Sequence, residues 1–88
     1  MLFLRIRQAE TAMRDKRLDE AYDLAQDAGL REHRRGQDLI GRLARAFIER
    51  GRQHLAERRW PQASADCEKA AKLGGNLVEA AELHEAIR

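Results

Sequence analysis

Three histidines, one cysteine and a run of arginines are the residues of this 88-residue chain with chemistry to offer. His33, His54 and His84 are spaced too widely for a His-x3-His or Glu-x-x-His metal pair on one helix. His54 and Cys67 fall at facing positions of a helical hairpin. A thiol and an imidazole so placed can form a nucleophilic pair or part of a metal site. A packed thiol beside a satisfied imidazole is the far commoner use of such a pair. No glycine-rich phosphate loop or convergent carboxylate pair accompanies them, and Gly74-Gly75 reads as a helix stop. The expectation is a non-enzyme with no cofactor and no metal.

The arginines are concentrated. Residues 31–59 hold nine arginines and four acids, a net of +5, while the segments before and after carry −1 and −2. A chain of net charge +2 thus has a basic centre. At about 100° per residue, Arg35, Arg42, Arg45, Arg52 and Arg59 lie on one stripe of a helix, interrupted by Glu49. Guanidinium groups in a row suit acidic side chains or phosphates. Aromatic stacking partners are missing from the stripe, and no helix-turn-helix or zinc pattern appears. Nucleic-acid binding is therefore the weaker alternative to a protein partner.

The elements that must carry these residues are helices. Alanine occurs 15 times and leucine 11, against six Val, Ile and Thr combined. Ala and straight-chain residues lose little side-chain freedom in a helix, and no window alternates as a strand would. The fold class expected is all-α. A mean hydropathy of −0.71 and no apolar run near ~18 residues argue against a membrane span. One cysteine makes no internal disulfide, so a cytoplasmic protein is expected.

Punctuation divides the chain into about five helices. The first spans about 2–15, and a second opens at Asp19 and ends before Gly29. A long third helix runs from about 31 to 57 or 58. Pro61 suits the first turn of a fourth, which ends at Gly74-Gly75. Asn76 with Glu79 resembles a capping box and starts a fifth helix over about 76–88. That helix has no stop signal before Arg88, which fits either a piece of a longer protein or a frayed terminus.

Two stretches repeat at an offset of 42 residues. Residues 13–21 align with 55–63, matching Asp15-Lys16-Arg17-Leu18 to Glu57-Arg58-Arg59-Trp60 and Ala21 to Ala63. Ala25 then aligns with Cys67, and Ala28 with Ala70. Read physically, this is a helical hairpin made twice. Leu18 or Trp60 plugs the turn, and small residues let the second helix approach the first closely.

With Phe47, Gly51 and His54 on one helix and Ala63, Cys67 and Ala70 on the next, the second copy resembles the tetratricopeptide repeat. Arg50 stands at its usual leucine, Cys67 at its usual aromatic, and Gly75 where a proline often sits. The offset exceeds the family's ~34 residues by about two helical turns, placed at the start of the third helix. The resemblance implies one TPR-like domain over 1–88, with hairpins at about 2–29 and 31–74 and a capping helix after them. It also implies a scaffold that binds a peptide or protein segment, acidic ones included, in a helical groove. By the family's pattern the groove residues are Arg45, Ile48, Glu49, Arg52 and Leu55, with Ile6, Glu10 and Met13 from the first copy. Ile48 and Arg52 replace the lysine and asparagine that clamp a C-terminal carboxylate in some members, so that ligand is not expected. Repeats bury their faces poorly alone. A homodimer through the terminal helices is the remaining alternative.

Overall fold

In a computed structural model describing residues 2–74 and 78–87, alanine and leucine at helical spacing fold into six helices. They are α1 (Leu2–Arg14), α2 (Leu18–Leu24), α3 (Ala28–Glu32), α4 (Arg34–Ala56), α5 (Trp60–Gly74) and α6 (Val78–Ile87). No strand occurs among the described residues, and none of their helices is long and apolar enough to cross a membrane. The chain divides into two units, Met1–Leu43 and Ala44–Arg88, and α4 runs unbroken through the division.

In the first unit, α1 packs against α2 and α3. Its inward row is Ile6, Ala9 and Ala12, each at most 1% exposed, and Ala21 and Ala25 meet it with no exposure. The small side chains permit close approach; Leu30, Leu39 and Leu43 supply the bulk. Asp19 is not the cap of α2. It sits in the first turn, where its charge complements the N-terminal end of the helix dipole.

The sixth helix arises from Asp27. Its Oδ1 accepts from the backbone N–H groups of Gly29 (2.8 Å) and Leu30 (3.4 Å), and Arg5 Nε lies 3.4 Å from Oδ2. This cap starts α3 through the glycine expected to stop the second helix, which instead ends at Leu24. His33 then caps α4: its Nδ1 accepts from the Arg35 N–H (3.1 Å). Gly36 makes the sharp step from α3 into α4 possible, since a Cβ there would stand 1.8 Å from the Leu30 carbonyl oxygen.

The second unit holds the rest of α4 with α5 and α6. Phe47, Ala63, Cys67, Ala70 and Leu83 are its buried apolar residues of note. Gly51 lets three helices meet, because a Cβ there would be 2.8 Å from Leu83 Cδ2 and 3.3 Å from Asp66 Cβ. The expected stop at Gly75 and cap at Asn76 lie outside the described residues.

Both corners of the repeated stretch have one backbone path. After α1, Lys16 N–H donates to Met13 O (3.0 Å) and Arg17 N–H to Ala12 O (2.7 Å). After α4, Arg58 N–H donates to Leu55 O (3.0 Å) and Arg59 N–H to His54 O (2.8 Å). The pivots Lys16 and Arg58 have φ of 63° and 60°. This paired pattern is the Schellman motif with a non-glycine residue in the left-handed position. Beyond the corners the copies agree at Ala21 and Ala63 and at Ala25 and Cys67, all buried, but Ala28 is exposed where Ala70 is buried. The two plugs also differ. Leu18 is 7% exposed, whereas Trp60 is 49% exposed and plugs nothing.

The strain at these pivots is measurable. Lys16→Gly and Arg58→Gly are each expected to raise stability by about 0.5–1 kcal/mol, the left-handed penalty outweighing glycine's extra unfolded-state freedom. The urea midpoint reports it, and a fall in midpoint would contradict strain at the pivot.

Candidate partner-binding face of the long helix

The second-unit part of α4 is fastened on one side and open on the other. Phe47, Gly51 and His54 form the fastened side. At about 100° per residue, Arg45 and Arg52 fall roughly opposite them. The fastening centres on Asp66 of α5, whose side chain is 3% exposed. Arg50 Nε donates to its Oδ2 (3.0 Å) and an Arg50 terminal nitrogen to its Oδ1 (2.7 Å), a bidentate pair. His54 Nε2 lies 3.7 Å from Oδ2, and His54 Nδ1 is buried with no hydrogen-bond partner among the described residues. The Phe47 ring carries two cations, with the Arg50 guanidinium 5.1 Å and the Lys69 ammonium 5.7 Å from its centre.

The five expected groove residues are not equivalent. Arg45 is exposed and has no ion-pair partner among the described residues. Arg52 is exposed and 3.9 Å from exposed Glu49, a surface pair worth little. Leu55 is half-buried. Ile48, however, is 2% exposed and belongs to the core, so it presents no apolar surface. Its position beside the open face does not reveal which neighbours cover it. Arg45 and Arg52 stand one heptad apart, about 10 Å along the axis.

The first-copy positions do not supply a second half of this face. Ile6 is fully buried and Met13 half-buried. Glu10 is engaged by Arg35, through contacts of 3.3 and 2.8 Å, and by Arg42 at 3.5 Å. That carboxylate raises the Arg35 pKa through its hydrogen bond and charge. Most of the arginine stripe is therefore already beside an acid; Arg59 too lies 3.6 Å from Glu57.

The possible nucleophile is poorly set up for chemistry. Cys67 is 5% exposed, and burial first, then the Glu68 charge, pushes its thiol up and away from the thiolate form. Among the described residues no group of three His, Cys, Asp or Glu side chains is placed to hold a metal.

Asp66 is the residue that motif reading passed over. Its signal was present: Ala63, Asp66, Cys67 and Ala70 form one i, i+3, i+4, i+7 row, so the acid must face inward with the alanines. Arg50 at the repeat's leucine position is its counterpart.

No family model, curated protein or solved structure matches this chain.

Proposed function

We propose that this chain is a TPR-like cytoplasmic scaffold module that binds an acidic peptide or protein segment along the open face of α4. Arg45 carries the reading: an exposed guanidinium without an ion-pair partner among the described residues, one heptad from Arg52. The occurrence of the same Schellman corner twice, 42 residues apart, supports a repeat architecture of that kind. Leu55 supplies apolar contact beside the arginines, and Glu49 sets which side of a ligand carries its acids. Phosphate backbones are the less favoured ligand, because Arg35, Arg42 and Arg59 already sit against Glu10 and Glu57. A catalytic role is disfavoured by the buried, upshifted thiol of Cys67.

The test is binding of glutamate-rich helical peptides, followed by fluorescence anisotropy. Arg45→Glu with Arg52→Glu is expected to weaken binding by about tenfold or more, as loss of charge-assisted contacts does. Folding is checked by helical circular dichroism. Equal affinity for the folded double variant would sink the assignment.

A further inference from the structure

The first unit contains a groove that the proposed ligand site does not use. It lies between α1 and α2, is open to solvent with a volume of about 560 Å³, and has Leu4 and Leu24 as its apolar lining. Leu4, Arg7, Gln8 and Thr11 are an i, i+3, i+4, i+7 row on α1, so a whole helix stripe faces it. Leu4 is 54% exposed, which leaves an apolar lip uncovered. Arg7 is exposed and has no ion-pair partner among the described residues. Arg17, on the other wall, already holds Glu20 at 2.7 Å. The groove therefore suits a helix with a small apolar stripe and acids beside it.

The chain itself carries such a helix. α6 has three glutamates and no lysine or arginine. Leu83 turns inward at 2% exposure, while Val78, Ala81, Glu82 and Glu85 are all exposed. Those four residues are again an i, i+3, i+4, i+7 row. Val78, 66% exposed, is the apolar knob, Ala81 permits close approach, and Glu82 is the acid for Arg7. We infer that α6 of one copy docks into the α1–α2 groove of a second copy. Donor and acceptor are different surfaces, so the contact is heterologous and each added copy offers a fresh groove.

Sedimentation of the full chain over a concentration series tests this directly, with the α4 arginines left intact so that it is independent of the peptide assay. Average mass is expected to rise past that of a dimer with concentration, and to fall when salt is raised from about 0.05 to 0.5 M, which screens the Glu82–Arg7 attraction. Arg7→Glu alone and Glu82→Arg alone should each weaken assembly by about tenfold, because like charges then face each other. An equimolar mixture of the two folded variants should assemble as wild type does, since every groove then finds a complementary α6 in the other variant. A monomer at about 1 mM, arrest at a dimer, or no recovery on mixing would each overturn the proposal.

Discussion

Arg50→Met is expected to destabilise the fold by about 3–5 kcal/mol, the cost of leaving a buried carboxylate without its cation. Asp66 is 3% exposed on its side chain, and Arg50 makes two hydrogen bonds to it. Water cannot replace them at that depth. For a chain of this size the loss corresponds to a fall in Tm of roughly 15 °C or more. Arg50→Met combined with Asp66→Leu should recover most of it, because an apolar pair of similar volume removes the buried charge altogether. Recovery will be incomplete, since His54 Nε2 then loses the carboxylate it faces at 3.7 Å. Thermal melts of the three proteins make the comparison. If the double variant were no better than the single one, packing of the guanidinium on Phe47 would be the dominant contribution.

Gly36→Ala is the second large effect. The added methyl would stand 1.8 Å from the Leu30 carbonyl oxygen and 2.7 Å from its carbon, and both are backbone atoms. A side chain can swing away; a peptide cannot. Relief requires α3 to separate from α4, breaking the packing of fully buried Leu30. The expected cost is about 3 kcal/mol, at the upper end for overpacking. Gly41→Ala, five residues on in the same helix, is the control. Among the described residues nothing lies within 4 Å of its Cβ position, so alanine should add about 1 kcal/mol there. Opposite signs in urea denaturation confirm that the step at Gly36, and not helix propensity, sets the outcome.

Local signals carried the architecture a long way. Composition indicated an all-helical chain, and spacing put α1, α4 and α5 within a few residues of their ends. The repeat between residues 13–21 and 55–63 reappears as two matching corners. What local reading missed depended on competition between neighbours. Gly29 looked like a stop, but Asp27 two residues earlier captured its N–H and turned a loop into α3. Ile48 sits beside the open face of α4, and its burial depends on which parts of the chain fold over it. Trp60 aligned with Leu18, yet the hydrogen bonds of the corner close it without the indole. Among the candidate site residues, exposure of Arg45 and Arg52 follows from their stripe. The Asp66 fastening that holds their helix did not come from the repeat pattern at all.

The unbroken course of α4 bears on how the protein comes apart. The boundary between the two units falls after the tenth residue of this 23-residue helix, so neither unit holds both of its ends. A helix of ten or so residues is marginal in water without its continuation, because nucleating it is costly and each turn leans on the next. Melting of one unit therefore strips support from the part of α4 that the other needs. The two halves of the repeat are expected to lose their order in a single transition, as one cooperative body.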